Sequence, residues 1–547
     1  MASKTMPLWG WGDAAVERHL SEATIQNLSS QIGPVADSRS RVSSPTEFEI
    51  QTDSLSDPLA DGLARVVGRE AVVVDERERL LRAHGKSYPD MIKMRAGQPG
   101  AIPSAVVVPH TREELEQVIL FCSNNEIAVV PYGGGTSVVG GLTTFSEGFA
   151  GSISLDLAEM AGLEELDQTS GLATFLPGTR GPEAERLLSA SGFTLGHFPQ
   201  SFEYGSIGGF VATRSAGQSS SGYGRIDRNL IGVGASTPAG RIDIPAIPGT
   251  AAGPDLRQLL AGSEGTLGVL DRLVLQVTRS PEVARDLAWL APDFRTGREA
   301  LRRLEQSGLE PTVARLSDEE ETSVTLLLAG DSAKASVFRG LVRARGGGCI
   351  LITCFEGNSA EVAHRSAAAS DLLRREGCKA LGSAPARAWR KGRFSGPYLR
   401  DSLLDIGYFV ETLETATTWS NLENLYRSVG EALRSELRKT GGEPIVMCHV
   451  SHMYPTGASL YFTFVGATPS SDLNERLGQW KSVKSSACDA IIAAGGTISH
   501  HHAVGSDHSD WLPSEIGPVG ISMLQAVKEE VDPAGIMNPG RLIPTRG

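Results

Sequence analysis

The sequence is short of cysteine, of aromatic residues and of positive charge, and each shortage excludes something. Its six cysteines, Cys122, Cys349, Cys354, Cys378, Cys448 and Cys488, are scattered through apolar segments with no C-x-x-C pair. That pattern describes buried thiols in a reducing compartment, not a disulfide framework or a cysteine-held zinc. Lys and Arg total 51 against 64 Asp and Glu, a net charge of -13. Binding nucleic-acid phosphates needs the opposite balance, so no nucleic-acid partner is expected. Long apolar runs are missing too. The charge-free stretch Met447 to Ser471 is broken by Pro455, Gly457 and several hydroxyl and histidine side chains, and reads as two strands around a turn. Met1 to Trp9 lacks the apolar core of a leader, and Pro544-Thr545-Arg546-Gly547 is not a peroxisomal tripeptide. A cytoplasmic protein is therefore expected, with peripheral membrane contact left open.

What is present is a globular composition, 40% hydrophobic and 21% charged, in 547 residues. That length exceeds one core and divides into roughly two or three domains. The most informative segment is Pro131-Tyr132-Gly133-Gly134-Gly135-Thr136-Ser137, directly after the apolar run Ile127-Ala128-Val129-Val130. A strand that breaks into consecutive glycines leaves backbone N–H groups unobstructed, as cradling a diphosphate requires. It is not a Walker loop, because Gly141-Leu142 stands where Lys and Ser or Thr would be needed, and Val138 replaces the third glycine of a dinucleotide fingerprint. Taken alone, the glycines also fit a simple tight turn.

Two later segments repeat the small-residue character. Pro199-Gln200-Ser201-Phe202-Glu203-Tyr204-Gly205-Ser206-Ile207-Gly208-Gly209 runs on to Thr213-Arg214-Ser215-Ala216. Gly262-Ser263-Glu264-Gly265-Thr266-Leu267-Gly268 continues into Val269-Leu270. Their glycines let backbone approach a planar ligand, and Thr266 can donate a hydrogen bond to it.

Between these landmarks the chain organises itself. Ser29-Ser30 and Ser38 to Pro45 read as linker within a polar extension, 1–60. Leu63, Val66 and Val67 have helical spacing, Val72-Val73-Val74 begins a strand, and Pro103 to Val108 is another. Thr111-Arg112-Glu113-Glu114 reads as a capping box into a helix burying Leu115, Val118, Ile119 and Phe121. A composition shift near Ser280-Pro281 suggests a boundary, which gives a cofactor domain at 61–280, a substrate-covering domain at 281–505 and a C-terminal segment at 506–547.

The three glycine-rich segments, in that order, resemble the FAD-binding domain of the vanillyl-alcohol oxidase superfamily, in which the first loop holds the pyrophosphate and the other two flank the isoalloxazine. The resemblance implies an α+β fold: a two-subdomain FAD-binding domain, an α+β cap, and a chain end that returns to the flavin domain. It places FAD against the residues just quoted, from Pro131 to Ser137, Gln200 to Ser206, Thr213 to Ala216 and Glu264 to Leu270. No histidine closely follows the first loop, so FAD is expected to be non-covalent.

On the substrate side the resemblance sharpens. Glu310-Pro311-Thr312-Val313-Ala314-Arg315-Leu316-Ser317-Asp318, Pro397-Tyr398-Leu399-Arg400-Asp401, Glu411-Thr412-Leu413-Glu414-Thr415-Ala416, Gly457-Ala458-Ser459-Leu460-Tyr461-Phe462 and Ser499-His500-His501-His502-Ala503-Val504-Gly505 look like segments of the alkyldihydroxyacetonephosphate synthase family. Trp9-Gly10-Trp11-Gly12 resembles that family's N-terminal tryptophan-glycine motif. The likeness implies exchange of the acyl chain of acyl-dihydroxyacetone phosphate for a fatty alcohol through a flavin N5 adduct, with FAD ending as it began; a homodimer is expected. Two features depart from the pattern: Gln200 stands where animal members have an acidic residue, and Asn538-Pro539-Gly540-Arg541 resembles flavin-dependent 2-hydroxyacid dehydrogenases. An FAD-linked 2-hydroxyacid dehydrogenase and an inert flavin-binding protein are therefore the rival readings.

Residue chemistry supports the carry-over and supplies its alternatives. Arg400 offers a bidentate fork for phosphate, or else a surface ion pair with Asp401 or Asp405. Arg315 in an apolar strand needs a buried partner such as Asp318, or a place at the flavin. The resemblance makes Tyr461 the acid/base group, which works only where its surroundings lower its pKa; the plain reading is a core aromatic. In an extended chain His500 and His502 share one face while His501 takes the other, and no acidic or cysteine ligand stands at a usual metal spacing. The three histidines are expected to shuttle protons and assist carboxylate departure rather than hold a metal. His449 and His452 stand ahead of the Tyr461 strand and could line the pocket, but the plain reading of both, and of His197, is a hydrogen-bonded core histidine, and they are left out of the catalytic set.

Overall fold

The computed structural model describes residues 6–16, 20–33, 35, 48, 54–328, 339, 340, 342, 344 and 347–544. The expected linker at Ser38 to Pro45 lies outside them. Three large sheets organise the described residues, beside a two-stranded ribbon of Phe193–Thr194 and Thr278–Arg279.

In the first, strands Ala105–Val107 and Ile127–Tyr132 run parallel to Gly151–Asp156 between them, with Val72–Val73 antiparallel at one edge. Its central strands are buried on both faces, as parallel strands covered on two sides must be, although Gly151–Asp156 turns Ser152, Ser154 and Asp156 to one of them. The crossover helix Arg112–Asn124 starts at Thr111, whose Oγ1 accepts from Glu114 N at 3.1 Å. The box is only half formed, because Glu114 Oε2 accepts from His110 N at 2.7 Å instead of reaching back to Thr111. Leu115, Val118 and Ile119 are buried as the spacing predicts, joined by Cys122, while Phe121 is only partly covered.

A five-stranded antiparallel sheet, in the order Leu163–Asp167, Leu172–Phe175, Val269–Gln276, Leu230–Thr237 and Gly240–Ile244, forms the second layer. The third is a seven-stranded antiparallel sheet ordered Lys379–Gly382, Val283–Ala291, Cys349–Gly357, Val313–Ser317, Ile445–Tyr454, Gly457–Gly466 and Phe409–Thr418. Met447 to Ser471 thus contains the hairpin that its turn residues suggest. Helices Phe294–Gln306, Ser359–Arg375 and Leu422–Arg438 pack on one face, where Leu413, Phe462, Leu316 and Val450 join Leu301, Leu373 and Leu433 in the largest apolar core. Strand alternation then turns the intervening side chains to the other face.

The last helix, Leu512–Val531, bends at Gly517, φ +76, ahead of Pro518. Beyond it Met537 bridges Val129, and Asn538 N donates to Val129 O at 2.8 Å, returning the chain end to the first sheet. Near the start, Ser29-Ser30 is not linker. It belongs to helix Glu22–Ile32, capped by Ser21, because Leu28 and Ile32 enter the large core and Ser29 Oγ meets the Tyr408 hydroxyl at 3.0 Å. Tertiary burial overrides a weak local preference there. Among the described residues no helix is long and apolar enough to cross a membrane.

Candidate active site

The glycine loop ends the strand Ile127–Tyr132 and meets the second small-residue segment backbone to backbone. A Cβ on Gly134 would stand 2.2 Å from the Tyr204 carbonyl oxygen, and one on Gly133 2.4 Å from Ser206 Oγ. Gly135 has φ +68, and a side chain there would meet the Tyr132 hydroxyl at 2.2 Å. Only glycine permits that approach. Pro131, Tyr132, Gly133, Gly134, Gly135, Thr136 and Ser137 line a cavity of about 1260 Å³ together with Gln200, Ser201, Gly205, Ser206, Thr213, Ser215, Ala216, Glu264, Gly265, Gly268, Val269 and Leu270. This volume exceeds the roughly 300–1,000 Å³ of an ordinary small-molecule pocket, as a dinucleotide plus a second occupant demands.

Six residues expected at the cofactor lie elsewhere. Phe202 stacks on Phe394 at 5.5 Å, Tyr204 meets the edge of Trp11 at 6.0 Å, and Glu203 is exposed. Arg214 turns back to donate to Ala261 O at 2.8 Å and Gln258 O at 2.5 Å. Thr266 Oγ1 donates to Ser263 O at 2.7 Å, which closes its own turn, and Leu267 enters the core of the second sheet. In each case the segment supplies backbone to the cavity while the local turn directs these side chains away from it.

The free face of the seven-stranded sheet forms the opposite wall. Glu414, Tyr461 and His449 are register partners across three strands, and His449 is in turn paired with Ser317. One alternation away on the same face stand Thr412, Thr463, Met447 and Arg315, all at the cavity. Tyr461 stacks on the His449 ring, 4.9 Å between centroids and 14° from parallel.

Glu414 organises the histidine run. Its Oε1 accepts from His501 N at 2.9 Å, His502 N at 2.8 Å and Ser499 Oγ at 2.8 Å, and its Oε2 from His500 N at 2.6 Å. Burial raises the carboxyl pKa, but the His502 charge and these donors outweigh it and hold the group below its ordinary value. Three consecutive N–H groups converging on one carboxylate curl the backbone, so the expected extended alternation does not occur. His501 and His502 both face Tyr461, at 6.0 and 5.4 Å, while His500 turns to Tyr454, whose hydroxyl lies 2.6 Å from its Nε2. His501 and His502 line the cavity; His500 sits behind them.

Burial pushes His500 and His501 well below the usual imidazole range, and His502 and His449 down as well. Neutral imidazoles are proton acceptors. Ring nitrogens of His452, His500 and His501 lie within 4.8 Å of one another, close enough for a cation. The hydrogen bond between His500 Nδ1 and His501 Nδ1 at 3.0 Å satisfies that pair without one.

Tyr461 departs from its expected electrostatics. Burial pushes its phenol up to about 12, opposed only in part by a Thr412 hydrogen bond. The surroundings keep it protonated rather than lowering its pKa. Arg315 is at the cavity, but its partners are Glu321 Oε1 at 2.8 Å and His449 Nδ1 at 3.0 Å, not Asp318. Asp318 faces the other way, accepting from Cys448 N at 2.9 Å and lying 3.2 Å from the Tyr426 hydroxyl.

Arg400, on helix Gly396–Ile406, donates from Nη1 to Lys86 O at 2.8 Å. Its Nε and Nη2 are buried without a hydrogen-bond partner, and Asp401 stands 3.7 Å from Nη2. Asp405 pairs with Arg95 instead. The ion pair with Asp401 offered as the alternative is thus present, yet it leaves two buried guanidinium donors without a hydrogen bond at a cavity wall, where an anion can take them. The sequence reading gave no role to Glu414, Glu321 or Tyr454 and set aside His449 and His452, both of which line the cavity; a glutamate at an inward position of the apolar strand Phe409–Thr418 was the available signal.

Residues 103–243 match the family model described as FAD binding domain, and residues 280–542 that of FAD linked oxidases, C-terminal domain. Fold and site together define an FAD-dependent enzyme built on the vanillyl-alcohol oxidase flavin domain. Alkyldihydroxyacetonephosphate synthase of Trypanosoma brucei brucei is 30% identical over 499 residues, 89% of this chain and 81% of its own. That of Caenorhabditis elegans is 32% identical over 483 residues, 86% and 81%. A solved alkyldihydroxyacetonephosphate synthase superposes with a TM-score of 0.84 at 26% identity, covering 98% of both chains. The chain belongs to the alkyldihydroxyacetonephosphate synthase family.

Proposed function

We propose that this enzyme exchanges the acyl chain of an acyl-dihydroxyacetone phosphate for a long-chain fatty alcohol, releasing a fatty acid and forming the ether bond of an alkyl-dihydroxyacetone phosphate. The edge of Arg400 left without a hydrogen bond carries this reading. It is a buried donor fork at the wall of the cavity that also holds Tyr461, His501 and His502, and it can take two oxygens of a phosphate dianion.

The glycine segments would hold FAD non-covalently, and its isoalloxazine would supply an electrophilic centre at this cavity. The protein's own groups then divide the proton work. A neutral imidazole, His501 or His502, takes the C1 proton and returns it once the alcohol has replaced the acyloxy group, the protonated Tyr461 phenol donates a hydrogen bond to the departing carboxylate, and the alcohol's proton leaves with the fatty acid. Arg315, braced by Glu321 and His449, presents positive charge to the same space. Apolar cavity walls such as Leu399, Leu403, Val410 and Val465 suit the alkyl chains.

Anaerobic mixing of the purified flavoprotein with palmitoyl-dihydroxyacetone phosphate and labelled fatty alcohol tests the reading. Label in an alkyl ether with release of palmitate supports it. Lasting bleaching of the flavin without ether would instead indicate the 2-hydroxyacid dehydrogenase.

A further inference from the structure

The N-terminal tryptophan-glycine segment takes no part in the reaction as proposed, yet it is buried. Met6, Leu8 and Trp11 are 7%, 8% and 5% exposed. Leu8 packs with Leu80, Ala83 and Met94, ahead of the glycine loop in sequence. Met6 and Trp11 pack with Tyr204 of the second flavin segment and Tyr398 of the Arg400 helix. The segment thus spans the junction of the two halves of the site.

Its polar contacts close a ring around Arg400. Lys86 Nζ donates to Pro7 O at 2.8 Å, and Lys86 O accepts from Arg400 Nη1. Trp11 N donates to Asp401 Oδ2 at 2.5 Å, and Asp13 N to the Tyr398 hydroxyl at 3.0 Å. Gly12 is required by this approach, and Gly10 eases it. A Cβ on Gly12, where φ is +72, would fall 2.1 Å from the Tyr398 hydroxyl, and one on Gly10 would fall 3.2 Å from Asp401 Oδ2. The alternation of tryptophan and glycine has a structural cause: one ring fills the gap beside Tyr204 while the glycines admit the helix.

We propose that Met6 to Asp13 is a positioning clasp for Arg400, holding helix Gly396–Ile406 against the flavin domain so that the guanidinium donors left without a hydrogen bond meet the substrate phosphate. This rests on the reading of Arg400 as the phosphate site. Trp11 borders the cavity with its ring, while the segment as a whole acts on the phosphate through Arg400; Trp11→Phe, which keeps the ring and removes the indole N–H, separates that role from a direct contact.

The test uses the full-length, flavin-loaded enzyme with Trp11→Ala and Gly12→Ala. Each should raise KM for palmitoyl-dihydroxyacetone phosphate about tenfold or more while leaving KM for the fatty alcohol, kcat at saturation and flavin absorbance within about twofold. Trp11→Phe, which keeps a ring against Tyr204, should restore KM to within about twofold of the parent. Unchanged KM in Trp11→Ala, or equal rises in both KM values, overturns the clasp. Should Gly12→Ala fail to load flavin, Trp11→Ala decides alone, since it adds no atoms. Arg400→Ala is measured in parallel. If it leaves KM unchanged, the phosphate reading itself has failed; if it raises KM while Trp11→Ala does not, only the clasp has.

Discussion

Glu414 and Tyr461 face each other across paired strands, and the Glu414 carboxylate holds the histidine run over the Tyr461 ring through the backbone N–H groups of His500, His501 and His502. The carboxylate is not placed to meet substrate; it sits behind the histidines and sets where they stand. One strand pair therefore positions both the phenol and the imidazoles, although about forty residues separate the strand pair from the histidine run in sequence.

Replacing Glu414 with Gln leaves an amide hydrogen facing at least one of those N–H groups. Loss of a charged acceptor inside the protein costs roughly 1.5–3 kcal/mol. Glu414→Gln is expected to lower the denaturant midpoint accordingly and to slow C1 hydrogen exchange. An unaltered midpoint would show that the carboxylate does not hold the run.

The division of proton work separates two variants. His501→Ala is expected to keep flavin but lose exchange of the C1 hydrogen with solvent by roughly 10²-fold or more, in the range of general acid–base groups. Tyr461→Phe is expected to keep that exchange and lose fatty-acid release to a similar degree. Deuterium uptake without alcohol, set against palmitate release with it, makes the distinction; lost exchange in Tyr461→Phe would return the base role to the phenol.

The pH dependence has a definite sign. Burial, followed by the charges of His502 and Arg225, holds His501 well below the 6.5 of a free histidine. An imidazole accepts a proton only when neutral, so exchange should persist at pH 6.5 and fall only as the pH drops through the lowered value. Stability moves in the same direction. The unfolded chain takes up protons near 6.5 and the folded chain does not, so stability should decline as pH falls below 6.5. An acid limb at or above 6.5 in the exchange profile would exclude a buried imidazole as the base.

Gly134→Val is expected to empty the flavin site, because its Cβ would already lie 2.2 Å from the Tyr204 carbonyl oxygen. Absorbance of the purified variant near the flavin bands checks this directly. Full occupancy would mean that the cofactor lies elsewhere.

Arg400→Ala is expected to raise KM for the phosphate-bearing substrate with flavin retained, at a cost of roughly 1.5–3 kcal/mol for a charge-assisted fork. Titration with a phosphate-free acyl-dihydroxyacetone, whose KM should not change, isolates the phosphate contribution.

Much of this was legible in the chain itself. Pro131 to Ser137 after an apolar strand announced backbone exposed to a diphosphate, and the turn at Pro455 and Gly457 announced the hairpin carrying Tyr461. Such features are local, since glycine conformations and strand alternation depend on neighbours in sequence. Thr266 shows the limit of local reading: a hydroxyl suited to a ligand is instead consumed by its own turn, and nothing in its spacing tells the two apart.

The sequence by itself determined the flavin-domain architecture, the two glycine walls and the family to which the chain belongs. Only the tertiary structure decided that His501 and His502 face Tyr461 together, that burial raises the Tyr461 phenol, that Arg315 pairs with Glu321 and His449, and that Arg400 keeps two buried donors without a hydrogen bond. Those outcomes depend on burial and on which distant donors find which acceptors. Burial sets the cost of every charge, and it is a property of the packed molecule rather than of any stretch of sequence.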